Sequence, residues 1–251
     1  MNLSDINNFN NSANPLISII TVCLNAEKHI LKCIQSVQKY GGRYCEHIII
    51  DGESNDQTVQ IIKDNPSSIS FWISEKDYGI YNAMNKGVKY AKGKWILFLG
   101  ADDQLNNNFQ EIIPQLLDNH CVYYGDYISE GKKYGGKFSS YRLAKSNFCQ
   151  QCVLYPIEVF NKYLFNEKYK ISADHLLNIQ CWTDKSFTFK YIPVSLTIFN
   201  STGISNQLID TELENDRSDI IKKYFGTIIF IRYLIKKQKL RLYRKLRLNK
   251  P

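Results

Sequence analysis

The stretch SEKDYGIYNAMNKGVKYAKGKWILFLGADD, Ser74 to Asp103, decides how the rest of the chain is read. An acidic turn with Glu75 and Asp77 leads into a helix opened by Gly79 and closed near Gly93. The run Trp95 to Leu99 is apolar at every position, which predicts a parallel strand covered on both faces. Such a strand meets a ligand at its tip, and this one ends in Asp102 and Asp103. Two adjacent carboxylates leaving a buried strand repel each other and lose hydration, so the pair calls for a cation or a hydrogen-bonding ligand. The competing account is a solvated turn in which Asp103 caps the next helix.

Working outward, residues 16 to 24, LISIITVCL, read as a central parallel strand. Its exit, Asn25-Ala26-Glu27, contains no glycine, so the G-x-G-x-x-G turn of a dinucleotide-binding dehydrogenase is absent. Residues 26 to 39 follow a helical period with Ile30, Ile34 and Val37 inward. The next strand, His47 to Ile50, exits into DGESNDQT, where Asp51 beside Gly52 can accept hydrogen bonds from a base or ribose. A helix over Gln57 to Lys63, a strand over Ile69 to Ile73, a helix near Phe109 to Leu117 and a strand CVYYGDYI complete a β-α-β-α-β-α-β-α-β pattern over the first 127 residues. That pattern predicts a doubly wound sheet. Beyond it, Gly131, Gly135, Gly136 and FSSYRLAKSNFCQQCVLYP read as a hairpin and loops. A short helix after Pro156, another from Ser172, a strand over Phe187 to Tyr191 and a polar loop over Phe199 to Asn206 follow.

Composition is that of a globular protein: 44% of the 251 residues are hydrophobic and 22% charged, enough chain for one large α/β domain. No apolar stretch is long enough to cross a bilayer, and the N-terminus is polar without a signal-like segment, so the chain is expected to stay in the cytosol. Seven scattered Cys form no disulfide framework, and the single C-x-x-C, Cys149 to Cys152, lacks the second pair or His that zinc needs. The charge of +8 is unevenly placed. From Arg217 onward 12 Lys and Arg stand against one acid, Asp219, giving that tail +11 and leaving −3 on the preceding 216 residues. Lys and Arg interleaved with Ile, Leu and Tyr at helical spacing predict an interfacial helix on an anionic membrane; a packed helix with a solvated basic face is the alternative. The acidic body and the lack of a groove-reading motif speak against nucleic acid.

Taken together, PLISIITVCLNA, IIIDGESNDQT, the opening stretch, VYYGD, CQQCVLYP and KISADHLLNIQ occur in an order that resembles the family 2 glycosyltransferases of the GT-A fold. Within that group the chain is similar to small bacterial enzymes that build O-antigen or capsule repeat units, and the likeness covers about residues 15 to 205. The resemblance implies an α/β fold with a Rossmann-like, mostly parallel central sheet flanked by helices, an irregular acceptor half and a basic C-terminal helical tail. The expected division is a polar extension (1–14), a nucleotide-sugar half (15–127), an acceptor and catalytic-base half (128–210) and basic amphipathic helices (211–251).

The family's Asp-x-Asp stands here as Gly100-Ala101-Asp102, its first acid missing, so the resemblance leaves Asp102 as the ligand for Mn²⁺ or Mg²⁺ and the donor diphosphate. Asp103 is expected as a cap or supporting group beside it. The other donor-binding candidates are Asp51 and Asp77, with Thr21 and Asn25 as the facing wall. Asp174, at the start of the helix SADHLLNIQ, matches the position of the base that deprotonates the acceptor, and Gln151 and His175 are candidate acceptor contacts. The implied reaction is inverting transfer of a hexose from a UDP-type donor to a sugar on undecaprenyl diphosphate at the cytoplasmic leaflet, with the protein peripheral on that surface. A nucleotidyltransferase is the rival enzyme class, but it needs a Gly-rich basic loop that CLNAEKH is not. A non-catalytic nucleotide-sugar-binding protein at the membrane is the other.

Overall fold

A computed structural model describes residues 15–201 and 209–248, with side chains of the last helix described to residue 239. Four parallel strands form its first half: β1 (Ile17–Cys23), β2 (Cys45–Asp51), β3 (Phe71–Ser74) and β4 (Trp95–Gly100), in the order β3-β2-β1-β4. Alternation of side chains along a strand divides the core between two faces. Ile96 and Phe98 of β4 pack with Ile20, Ile48 and Ile50 on one face, while Trp95, Leu97 and Leu99 pack with Ile17 and Ile19 on the other. Helix α1 (Ile30–Gly41) sends Cys33 and Val37 to the second face, and α2 (Thr58–Lys63) lies beside it.

Helix α3 (Ile80–Val88) covers the first face. It opens at Gly79, whose φ of 124° L side chains rarely adopt, and it sits close on β1 because a Cβ at Gly87 would come within 2.5 Å of Ile20. The helix ends five residues before Gly93, whose N–H instead donates to buried Ser18 Oγ at 2.8 Å.

The second half departs from a simple doubly wound sheet. A two-residue strand β5 (Gln104–Leu105) leads to a 3-10 helix, Phe109–Gln115, where an α-helix was expected; Pro114 inside it has no N–H to give to an α-helical ladder. Strand β6 (Cys121–Ser129) turns back through β7 (Lys132–Tyr134) and short α4 (Ser140–Leu143). The segment expected as loop then forms β8 (Val153–Pro156), antiparallel to both β4 and β6 and inserted between them. All four of its residues are buried. After α5 (Glu158–Lys162) and α6 (Ala173–Thr183), β9 (Thr188–Ile198) pairs parallel to β6, completing the order β3-β2-β1-β4-β8-β6-β9-β5.

Helix α7 (Thr211–Leu248) is kinked at Gly226, where φ is 72°. Before the kink Leu213, Ile220 and Ile221 are buried in the body, so this half is a packed element. After it Tyr233 packs near Ala144, while Ile228, Ile231 and Ile235 are exposed. Among the described residues no helix is long and apolar enough to cross a membrane. Most of the polar loop expected over Phe199 to Asn206, from residue 202 on, and the extension 1–14 lie outside the described residues.

Candidate active site

Register alone gathers three of the acidic candidates. Cys23 at the end of β1 pairs with Asp51 on one side, and Val22 pairs with Gly100 on the other, so Asp51 and the Gly100 to Asp103 turn leave the sheet at the same edge. Asp51 is fully buried and its carboxylate is well supplied with donors. Ser54 Oγ donates to Oδ1 at 2.5 Å; the Ser54 N–H and Ser74 Oγ donate to Oδ2 at 3.0 and 2.6 Å. Asn25, at φ 52°, joins the same loop: its N–H donates to Ser54 Oγ, and its Oδ1 accepts from the Asn55 N–H. Asp77 comes against this group because Gly52 has no side chain, and a Cβ there would overlap Asp77 Oδ2. The other Asp77 oxygen accepts from the Gly79 N–H at 2.9 Å and so fixes the start of α3.

Thr21 does not join them. It is fully buried within β1, its Oγ1 hydrogen-bonded to His47 Nε2 at 3.0 Å, so of the expected donor wall this structure brings Asn25 and not Thr21 to the Asp51 loop. The periodicity of a strand covered on both faces cannot say that a polar residue within it turns inward to a histidine.

At the end of β4, Asp102 is half-buried and Asp103 almost wholly so. Asp103 leads into β5 and not into a helix, which corrects the expected cap: its Oδ1 accepts the N–H of Asn200 at 2.8 Å, and Gln151 also hydrogen-bonds to the carboxylate. Burial pushes the acid up to about 7, against the pull of these donors and with a further push from Asp102. Gln151 stands beside the β4 exit, on a 3-10 turn (Gln150–Cys152) that packs on that strand, with Cys149 Sγ donating to its Oε1. Among the described residues no three or more His, Cys, Asp and Glu converge as a protein cage for a metal. Mg²⁺ at phosphate sites is commonly held by one or two carboxylates with substrate phosphates and water, and Asp102 fits that smaller donor set.

The second centre is Asp174 in the first turn of α6. It is buried, with Tyr81 Oη donating to Oδ1 at 2.8 Å and Asn147 Nδ2 donating to Oδ2 at 2.5 Å. Burial pushes its pKa up to about 6; the Tyr81, Asn147 and helix N–H donors hold it from going higher. A carboxylate in that range is ionised at neutral pH and still basic enough to take a proton. Tyr81 belongs to α3, which opens two residues after Asp77, so one helix links the donor-side acids to Asp174. The neighbouring His175 turns away: its Nε2–H donates to Leu143 O at 2.7 Å, and burial lowers its pKa to about 4. In this structure it is a neutral, buried residue whose ring faces Leu143 O and not the side expected for the acceptor.

Three residues that sequence reasoning passed over hold this centre. Tyr81 reads as one more apolar helix position, and nothing in the pattern foretells its hydroxyl bonds. Asn147 and Asn178 carry no periodic signal, yet Asn178 Nδ2 donates to Asn147 Oδ1 and so orients the amide facing Asp174.

Comparison with known proteins bears on the family and the fold. The family described as Glycosyl transferase family 2 matches residues 18–191. A Mycobacterium bovis protein named PGL/p-HBAD biosynthesis glycosyltransferase is 32% identical over 212 residues, covering 80% of this chain and 83% of its own. In fold the chain resembles S. aureus TarS 1-349, solved in complex with UDP-GlcNAc, at a TM-score of 0.66 and 18% identity over 83% of this chain and 67% of that one. It also resembles the mannosyltransferase PcManGT from Pyrobaculum calidifontis, solved with GDP-Man and Mn²⁺, at 0.56 and 12% over 76% and 61%. A family match over most of the chain, a relative aligned along four-fifths of it and a shared fold lead to one conclusion: this chain is a family 2 glycosyltransferase of the GT-A fold.

Proposed function

We propose that the enzyme transfers a hexose, with inversion, from a UDP-sugar to a hydroxyl of a lipid-diphosphate-linked sugar in bacterial surface polysaccharide assembly. The observation that carries this reading is Asp174, a buried carboxylate at a helix start, held by two side-chain donors and poised at about 6. In the proposed reaction Asp174 removes the proton from the acceptor hydroxyl. The acceptor oxygen bonds to the anomeric carbon, and the carbon–phosphate oxygen bond breaks with its electron pair leaving on the nucleoside diphosphate. Asp51, held rigid by Ser54 and Ser74, accepts from the nucleoside, with Asp77 and Asn25 shaping the same pocket. Asp102 would hold Mn²⁺ or Mg²⁺, which supplies counter-charge to the diphosphate. That PcManGT was solved with Mn²⁺ and TarS with UDP-GlcNAc supports these choices.

The lipid-linked acceptor is supported by α7. Beyond Gly226, Ile228 (78% exposed), Ile231 and Ile235 recur at helical spacing, alongside exposed Arg232, Lys236 and Lys239. Lys145 is pushed below the usual lysine range by burial and by Lys236, Arg232 and Arg142, a crowding of cations that an anionic leaflet would relieve. The proposed location is therefore the cytoplasmic membrane surface. Measuring UDP release from a panel of UDP-sugars and GDP-mannose, with and without Mn²⁺ and a lipid-diphosphate sugar acceptor, tests the reading; release that ignores the acceptor contradicts it.

A further inference from the structure

The side-chain bonds around Asp174 differ in kind on its two oxygens. On Oδ2 the donor is fixed. Tyr155 Oη donates to Asn178 Oδ1 at 2.9 Å, Asn178 Nδ2 to Asn147 Oδ1 at 2.9 Å, and Asn147 Nδ2 to Asp174. Reversing the Asn147 amide would set its carbonyl oxygen against the carboxylate, and the Asn178 amide would have to reverse with it; the ionised acid therefore dictates one direction for the whole relay. On Oδ1 the partner is adjustable. Tyr81 Oη has one proton and two acceptors, Ile171 O at 2.7 Å and Asp174 Oδ1 at 2.8 Å.

That hydroxyl suits both charge states of the acid. While Asp174 is ionised, the proton of Tyr81 lies toward Oδ1. Once Asp174 has taken a proton on Oδ1, the acid can donate to Tyr81 Oη, and the hydroxyl turns to Ile171 O. An amide locked as donor on Oδ2 offers no such exchange, which assigns the incoming proton to Oδ1.

We propose that Tyr81 is a positioning residue for the base, a hydroxyl that donates to Asp174 before proton transfer and accepts from it afterwards. This rests on the reading of Asp174 as the base. The proton balance is complete: the acceptor hydroxyl loses its proton to Asp174, the Tyr81 hydroxyl rotates without losing its own, and Asp174 returns the proton to water after the products leave. From α3 the titratable group facing Asp174 is Tyr81, and from β8 it is Tyr155; on α6 itself His175 points away to Leu143 O. Tyr81 stays protonated throughout, because burial and the charge on Asp174 raise its phenol well above the usual range.

The test is a carboxyl ¹³C NMR titration of protein labelled at aspartate, with the Asp174 signal assigned by its loss in Asp174→Asn. Tyr81→Phe removes a bond from both charge states, and because the bond to the ionised form is charge-assisted and the stronger of the two, the Asp174 midpoint is expected to rise by about one pH unit. The acidic limb of kcat/KM moves up with it, and activity recovers at alkaline pH. An unchanged midpoint in a folded Tyr81→Phe protein overturns the proposal. Should that variant fail to fold, a ring-fluorinated tyrosine placed at position 81, a stronger donor, is expected to lower the midpoint, and no shift overturns the proposal equally. The two readings fail separately: an active Asp174→Asn enzyme removes the base assignment, whereas the titration still reports whether Tyr81 controls the acid.

Discussion

Gly100 and Asp103 compete for one space: a Cβ built on Gly100 would lie 2.6 Å from Asp103 Oδ2 and 3.0 Å from Asp102 Oδ1. Glycine at position 100 thus leaves room for the Asp103 carboxylate, which occupies the space that a side chain there would need. Gly100→Ala is expected to cost about 1–3 kcal/mol by overpacking, because Asp103 is pinned by Asn200 and cannot swing to solvent. A melting temperature equal to that of wild type would show the site to be looser than described.

Asp102→Ala is expected to abolish metal-stimulated turnover with little change in folding stability, since a half-buried turn carboxylate contributes little to the fold. Mn²⁺ binding followed by water relaxation in the presence of UDP gives a readout apart from activity. Equal Mn²⁺ affinity in the variant removes Asp102 from the metal site.

If Asp51 contacts the nucleoside as proposed, Asp51→Ala is expected to raise the donor KM about tenfold or more while kcat changes less, because that contact lies away from the reacting carbon. Gly52→Ala should act in the same direction by driving Asp77 out of its place. Calorimetric titration with UDP checks both, and wild-type affinity in Asp51→Ala contradicts the assignment.

The folded pKa of Asp174, about 6, lies above its ordinary 3.8, so between about pH 4 and 6 the native state binds the proton that the unfolded chain has released. Its contribution to stability is therefore largest in acid and is lost as pH rises through 6. Asp174→Asn should flatten the dependence of melting temperature on pH across that window. A slope identical to that of wild type would mean that the acid is not buried as described.

Replacing Ile228, Ile231 and Ile235 together by Ser should weaken binding to anionic vesicles with little effect on folding, because all three are exposed. Truncation after Thr227 should remove salt-sensitive binding altogether, each engaged Lys or Arg contributing roughly 1 kcal/mol. It also deletes Tyr233, which packs near Ala144, so some loss of stability accompanies it. Vesicle sedimentation at two salt concentrations reads the effect; undiminished binding of either protein refutes the membrane role.

The parallel half of the sheet was legible because β4 is a continuous apolar run, β1 is apolar but for Ser18 and Thr21, and β2 carries Ile48 to Ile50 into its tip, and strand tips in such sheets lie where ligands bind. β8 was not legible: four residues are too few to show a period, and its burial comes from strands far away in sequence. The same reason hid the inward turns of Thr21 and His175, whose partners are His47 and Leu143 O. Asp174 could be named only through the resemblance of KISADHLLNIQ to the family, since an acid in the first turn of a helix reads equally well as a cap. Its environment, made by Tyr81 from α3 and Asn147 from a loop, could not, since hydroxyl and amide bonds across 93 and 27 residues leave no trace in local pattern.

The central claim is that Asp174 is the base for transfer onto an acceptor hydroxyl, and the most direct measurement compares acceptor-dependent UDP release by wild type and Asp174→Asn across pH 5 to 9. The account predicts a wild-type acidic limb near pH 6 and a loss of about 10²–10⁴-fold in kcat for Asp174→Asn, with UDP affinity unchanged. An Asp174→Asn enzyme that turns over at the wild-type rate with the same acidic limb would contradict it.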